Sequence, residues 1–318
     1  MSMQEDERSL LNVICEAYEI ARSEEYERTI HSSGLGLVIE IGKRHFLPTR
    51  LEAKDQLDPS ELRAAVVSQL CGKTDSTTRI VQVVGDSGTS FDKDRIREAQ
   101  QVLERHAGNG SIIEYGMTSR GDDANWLVGD YIEKNTVAAE RVLANVVGES
   151  VHALESGWTG SERVKYFVLL YQKGHLPTRF GEDMWLSDGT MSAETGDVIL
   201  CFEGGVQALS QCVNALERGI KVVAVPNLRP SINDMRFSAA ELLSIVEGVK
   251  DSSRLEPELK QYLDEHWPED TTKVDSIMQN IQRLVQISEN IRNLVLTGWT
   301  DITSLPCECS ITSISACE

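Results

Sequence analysis

The sequence predicts an α/β fold built on a doubly wound parallel sheet, with a small α+β region before it and a helical region after it. Between residues 79 and 227, apolar runs alternate with glycine-bearing loops and with segments of helical periodicity. That alternation is the pattern of repeated βαβ units. Most of the runs are apolar on both faces, as strands covered by helices on both sides must be. Beyond Pro226 only helical periodicity remains.

The N-terminal α+β region comprises residues 1–73 and is predicted to hold two helices and a strand or hairpin. Apolar residues recur at helical spacing over residues 7–22, which indicates an amphipathic helix. The β-branched, glycine-interspersed stretch 35–41 favours a strand or hairpin. A second helix is predicted over about 58–70, because Pro59 stands near its first turn, where proline is tolerated.

The central domain is predicted over residues 74–250 and supplies the parallel sheet. Connections between successive parallel strands are right-handed, and ligands bind such sheets in a crevice at the carboxyl ends of the strands. The candidate strands are residues 80–84, 111–115, 151–154, 164–171, 197–202 and 220–225, and the helices between them are residues 92–106, 124–135 and 206–218.

The C-terminal part is predicted to be helical over residues 251–299 and flexible over residues 300–318. One helix is expected at 237–249 and a longer one at 273–296. The apolar stripe of the longer helix favours packing on the core or on another subunit, so a homo-oligomer through these helices is one open alternative. The small hydroxyl residues and thiols of residues 300–318 are typical of a flexible end.

Composition excludes several classes of function. Fifty acidic residues against 31 basic residues give a net charge of -19, which opposes binding to nucleic acid. The acidic N-terminus does not resemble a secretory signal, and no apolar run approaches the ~20 residues that span a bilayer. The six histidines lack metal-ligand spacing. We therefore expect a cytoplasmic protein with no membrane partner, no metal and no cofactor.

Three glycine-bearing loops follow candidate strands and should meet at one edge of the sheet. Glycine allows the backbone to approach a ligand closely, and hydroxyl groups bind anionic oxygens. An arginine in the second loop suits a phosphate, and the third loop leads into a helix whose N-terminal amides attract anions. The candidate ligand-binding residues are Gly85, Ser87, Gly88 and Thr89 in the first loop, Gly116, Thr118, Ser119 and Arg120 in the second, and Gly204, Gly205 and Gln207 in the third.

The order of these loops and strands resembles the SLOG superfamily, a Rossmann-like group that includes the LOG-type nucleotide phosphoribohydrolases. The resemblance covers residues 79–227 and is carried by the stretch Gly196-Asp197-Val198-Ile199-Leu200-Cys201-Phe202-Glu203-Gly204-Gly205. It implies a Rossmann-like fold that binds a nucleotide or a nucleotide-derived ligand.

The resemblance also implies where catalytic groups would stand. In the LOG-type pattern Pro-Gly-Gly-x-Gly-Thr-x-x-Glu, the last glutamate acts in cleaving the base from the ribose phosphate. Gln211 occupies that position here, and Asp188 stands where the family has its catalytic arginine. A glutamine cannot supply the negative charge or take a proton. The candidate displaced acids are Glu203, Glu194 and Asp86.

Three hypotheses of function follow. Since other SLOG members are sensors without catalytic activity, the first is a regulatory module that binds a nucleotide-like small molecule. The second is an N-glycosidic bond hydrolase that uses a displaced acid. The third is a precursor of a ribosomally made modified peptide, because residues 311–317 resemble the start of a lanthipeptide core.

Overall fold

The computed structural model describes part of the 318-residue chain. The described residues are 28–33, 36–41, 44–50, 78–85, 91–108, 110–116, 123–137, 141–147, 166–171, 196–230, 236–249, 252–266, 273–287 and 294–296.

Ten strands form a single sheet in the described part of the chain. Their order across the sheet is β1-β2-β3-β7-β6-β5-β4-β8-β9-β10, and every pair from β3 through β10 is parallel. The strands are β1 (Arg28–Ser33), β2 (Gly36–Ile41), β3 (Arg44–Arg50), β4 (Ile80–Gly85), β5 (Ile112–Gly116), β6 (Val142–Val147), β7 (Tyr166–Tyr171), β8 (Val198–Phe202), β9 (Lys221–Val225) and β10 (Leu294–Leu296).

Six helices of the described ranges accompany these strands. Asp92 caps the first helix by accepting hydrogen bonds from the amides of Asp94 and Arg95, and Ser238 caps the fourth by accepting one from the amide of Glu241. The helices are α1 (Lys93–Ala107), α2 (Ala124–Lys134), α3 (Val206–Glu217), α4 (Ala239–Gly248), α5 (Ser252–Glu265) and α6 (Val274–Ile287).

The predicted α/β class with a parallel sheet is confirmed. Five of the six candidate strands that the sequence predicted correspond to β4, β5, β7, β8 and β9. The predicted strand at 151–154 lies outside the described residues, as do the predicted helices at 7–22 and 58–70 and the C-terminal tail. The boundaries proposed for the four regions of the chain stay a prediction.

One element was predicted wrongly. The helix expected to reach residue 296 corresponds to α6 only as far as Ile287, and Leu294–Leu296 forms β10, which pairs in parallel with β9. A short apolar run suits a buried strand as well as a helix, so periodicity does not distinguish them. No strand was predicted at β1 or β6, and α5 lies within the predicted helical stretch 251–299, for which no separate helix bounds were predicted.

The N-terminal strands extend the same sheet. β1, β2 and β3 form consecutive antiparallel pairs, and β3 then lies parallel to β7, with Phe46 opposite Phe167 in the register. The predicted strand or hairpin at 35–41 corresponds to β2 and its antiparallel neighbours.

The centre of the sheet is buried on both faces. On one face, Ile199, Cys201 and their neighbours on β9 pack with α3, α4, α5 and α6 in one apolar cluster. The residues between them, such as Val198 and Leu200, point to the opposite face and are also fully buried. On α6, Ile281 is fully buried in the cluster while the adjacent Gln282 is exposed.

This packing predicts that Ile281→Ala lowers the free energy of unfolding by about 2–5 kcal/mol, because it leaves a cavity between α6 and the core. The matched substitution Gln282→Ala should change it by less than about 0.5 kcal/mol. Urea denaturation followed by circular dichroism measures both. Similar losses in the two variants would contradict this placement of α6.

Candidate functional site

The strand order reverses at β4. From β4 the chain proceeds through β5, β6 and β7 on one side, then returns to place β8 on the other side of β4, with β9 beyond it. In open parallel sheets the crevice for a ligand forms at such a reversal, outside the carboxyl ends of the two strands. Here those ends are Gly85 and Phe202, which face each other in the register.

Two glycines allow the backbones to meet closely at this reversal. A Cβ on Gly85 would lie 2.5 Å from the carbonyl oxygen of Phe202 and 2.6 Å from Cβ of Ala124. A Cβ on Gly204 would lie 2.6 Å from Cβ of Ala208, and Gly204 has a positive φ of 98°. Neither position accepts a larger residue without movement of the backbone.

Helix α3 begins at this edge without a side-chain cap. Its N-cap is Gly205, which makes no side-chain hydrogen bond. By contrast, Asp92 and Ser238 cap α1 and α4, and the carboxylate of Asp123 accepts a hydrogen bond from the amide of Trp126 at 2.9 Å in the first turn of α2. Gly205 is exposed, and among the described residues no atom beyond its chain neighbours lies within 4 Å of the position that a Cβ would take. The start of α3 is therefore accessible at Gly205 with respect to the part of the chain that the structure describes.

The peptide groups before α3 have fixed orientations. The carbonyl oxygen of Glu203 accepts a hydrogen bond from the amide of Ala240 at 3.0 Å, and that of Gly204 accepts one from the amide of Ala239 at 2.8 Å. In a trans peptide the N–H points opposite to the carbonyl. The amides of Gly204 and Gly205 therefore both point away from α4, and successive amides of this kind favour an anion.

Glu203 holds the loop in place with its side chain. It is 1% exposed and adopts a positive φ of 56°, which is uncommon for a residue with a side chain. One carboxyl oxygen accepts a hydrogen bond from the amide of Leu228, and the other accepts one from the hydroxyl of Ser238 at 2.5 Å. The carbonyl oxygen of Leu228 in turn accepts a hydrogen bond from the amide of Asp92 at 2.7 Å. The Glu203 carboxyl, in the segment after β8, thus bonds to Leu228 in the segment after β9. Leu228 in turn bonds to Asp92 in the segment after β4.

Burial raises the pKa of the Glu203 carboxyl above its ordinary value of 4.5. The hydrogen bonds from Ser238 and Leu228 and the positive charge of Arg229 act in the opposite direction, while the charge of Glu241 adds to the increase. Desolvation is the largest of these effects.

The structure describes six of the candidate site residues. Gly85, Glu203, Gly204, Gly205 and Gln207 lie at the reversal of strand order, and Gly116 ends the adjacent strand β5 at the same edge. The remaining candidates lie outside the described residues: Asp86, Ser87, Gly88, Thr89, Thr118, Ser119, Arg120 and Glu194. Gln211 lies on α3, half-buried.

Sequence reasoning missed the partners of Glu203. Leu228 is 25 residues away along the chain and Ser238 is 35 residues away, so no local pattern connects them. Arg229 follows β9 at the same edge, and its guanidinium donates to the carbonyl oxygens of Arg236 at 3.0 Å and Phe237 at 3.1 Å. The dipeptide Pro226-Asn227, which directly follows β9, is a local signal that a loop begins there.

A separate cavity of about 550 Å³ lies at the opposite, amino edge of the sheet. It is lined by the C-terminal ends of α1 and α2, among them Tyr131 and Asn135, and by Arg141 before β6. Within the ranges that the structure describes, no cluster of three or more histidine, cysteine, aspartate or glutamate side chains is arranged to hold a metal ion. In those same ranges, no helix has the length and apolar character needed to cross a membrane.

The sequence matches no protein-family model, and no curated protein matches it significantly.

The burial of Glu203 predicts a pH dependence of stability. Since its pKa is higher in the folded chain than in the unfolded chain, its contribution to stability is greatest below the unfolded pKa and is lost as the pH rises through the folded pKa. Glu203→Gln, which mimics the protonated carboxyl, should therefore gain in free energy of unfolding relative to the unaltered chain as the pH rises above 4.5.

Denaturant titrations between pH 4 and pH 8 measure this difference. Glu133→Gln removes the same charge from an exposed position and serves as the control. A difference between Glu203→Gln and the unaltered chain that does not change with pH would contradict the buried environment of this carboxyl.

Proposed function

We propose that the chain binds a nucleotide or a nucleotide-derived ligand in the crevice between the carboxyl ends of β4 and β8. The observation that supports this most strongly is the reversal of strand order at β4, with glycines at the facing strand ends. A parallel α/β sheet that reverses there supports the Rossmann-like, doubly wound assignment. The resemblance to SLOG proteins predicts the same ligand class at the same loop.

The N-terminus of α3 is the proposed phosphate-binding site. The amides of Gly204 and Gly205 point away from α4, and Gly205 leaves the start of α3 uncapped and exposed. Backbone amides and the helix dipole favour an anion at such a position. The short range of this attraction makes it compatible with the net charge of -19.

The same contacts favour binding over catalysis. Both carboxyl oxygens of Glu203 accept hydrogen bonds from within the chain, and the side chain is 1% exposed. A general acid or base must instead reach the substrate, directly or through one water molecule. We therefore assign Glu203 a positioning role and propose that the chain is a sensor or regulatory module.

An N-glycosidic hydrolase is the second candidate, because a raised pKa suits a carboxyl that donates a proton to a leaving group. Release of adenine from AMP, measured by chromatography, tests it. If Glu203 were the acid, Glu203→Gln would retain AMP binding and lose this release. The hypothesis of a modified-peptide precursor concerns residues 300–318 and stays a prediction.

Isothermal titration with AMP, ADP-ribose and cyclic dinucleotides tests the leading proposal. Binding of at least one of them at one site per chain is expected. Failure of all of them to bind would refute the proposed function.

Gly205→Ala tests the proposed phosphate-binding site directly. Its φ of -90° and the open space around it accept a methyl group, so the free energy of unfolding should change by less than about 1 kcal/mol. Affinity for the bound nucleotide should fall by at least about tenfold, because the methyl group would stand where a phosphate approaches the amides.

The matched control is Gly248→Ala at the far end of α4, where a Cβ also meets open space. It should leave the affinity unchanged. Equal affinity of the unaltered chain and Gly205→Ala would place the phosphate elsewhere.

A further inference from the structure

A series of buried hydrogen bonds connects Glu203, in the loop between β8 and α3, with Tyr262 on α5. The hydroxyl of Ser238 donates to the carboxyl of Glu203 at 2.5 Å, and the amide of Ser238 donates to the phenolic oxygen of Tyr262 at 3.0 Å. That phenol donates to the carboxylate of Glu241 at 2.7 Å. Glu203, Ser238 and Tyr262 are all buried, and buried polar groups tolerate the loss of a partner poorly.

The ring of Tyr262 is held by its aromatic neighbours. It stacks on His266, with ring centroids 4.3 Å apart and planes inclined by 15°. Its other neighbour is Phe237, which it meets edge-on at 6.2 Å. These contacts fix where the hydroxyl lies, at the point where α4 begins.

The beginning of α4 in turn orients the loop between β8 and α3, which forms the proposed phosphate-binding site. Ala239 and Ala240 follow Ser238 directly, and their amides donate to the carbonyl oxygens of Gly204 and Glu203. A displacement of Ser238 would therefore rotate the two peptide groups whose amides point away from α4. Tyr262 is 58 positions beyond Gly204 in the sequence. Two hydrogen bonds nevertheless connect them: the amide of Ser238 donates to the phenolic oxygen of Tyr262, and the amide of the next residue, Ala239, donates to the carbonyl oxygen of Gly204.

We propose that Tyr262 is a positioning residue for the ligand site: through Ser238, its hydroxyl sets the direction of the amides of Gly204 and Gly205. This inference rests on the proposed function for its ligand, but the geometry that it describes exists in the free chain. It makes α5 an element that controls affinity without contacting the ligand.

Tyr262→Phe in the full chain tests the proposal, since it keeps the ring contacts and removes the hydroxyl alone. In the free protein, hydrogen exchange of the amides of Ala239 and Ala240 should become at least about tenfold faster, because the loss of one buried hydrogen bond is of this order. Exchange of the amide of Ile281 on α6 should not change, which verifies that the fold is intact.

Binding of ADP-ribose provides the second measurement. Tyr262→Phe should weaken its affinity by about tenfold. Ser238→Ala keeps the amide that donates to Tyr262 but removes the hydroxyl that donates to Glu203, and it should also weaken the affinity. Tyr131→Phe removes a phenolic hydroxyl at the opposite edge of the sheet and should leave both exchange and affinity unchanged.

Different results would refute the role of Tyr262 and the proposed function. Unchanged exchange of Ala239 and Ala240 in Tyr262→Phe, or an affinity equal to that of the unaltered chain, would overturn the role of Tyr262. Absence of binding by the unaltered chain to any tested nucleotide would overturn the proposed function, whatever the exchange shows.

Discussion

The buried carboxyl of Glu203 is the constraint on which the carboxyl edge of the sheet depends. Its two oxygens accept hydrogen bonds from Leu228 and Ser238, and its own backbone bonds to β9 and α4. A left-handed backbone at a residue with a side chain costs about 1–3 kcal/mol, and burial of the carboxyl adds a desolvation cost. Both costs are offset by the contacts that fix the loop, so the positions of three connecting segments follow from this one residue.

That constraint also sets the direction of the amides that the proposed anion site would use. The carbonyl oxygens of the loop turn toward α4, which directs the amides of Gly204 and Gly205 the other way, next to an uncapped helix N-terminus. Burial raises the pKa of the Glu203 carboxyl beside these amides, and the hydrogen bonds from Ser238 and Leu228 act in the opposite direction. Tyr262 keeps its proton, since burial raises the pKa of its hydroxyl, as does the neighbouring Glu241.

The local elements of this arrangement were predictable from sequence, and their connections were not. The apolar run of β8, the glycine pair and the periodicity of α3 are contiguous, so the strand, loop and helix were found together. Glu203 was identified as a candidate displaced acid because Gln211 stands at the acidic position of the resembled pattern and Glu203 lies on the same loop. Its partners come from residues 25 and 35 positions later, and only tertiary packing shows that its oxygens are already used.

The errors in the predicted C-terminal elements also arise from tertiary packing that a local pattern does not show. Leu294–Leu296 reads as the end of an apolar helix, yet the open edge of β9 offers backbone hydrogen bonds that a strand can use. α5 lies in the stretch predicted to be helical, but its bounds were not predicted, because its exposed faces are strongly charged. Leu255, Leu259 and Leu263 nevertheless recur at helical spacing and are buried.

Backbone amide chemical shifts measured by NMR during a titration with ADP-ribose would test most directly where the ligand lies. We predict that the largest shifts occur at Gly204, Gly205, Val206 and Gln207, with smaller ones at Gly85 across the crevice. Shifts confined to the amino edge of the sheet, around Asn135 and Arg141, would contradict a ligand site at the reversal of strand order.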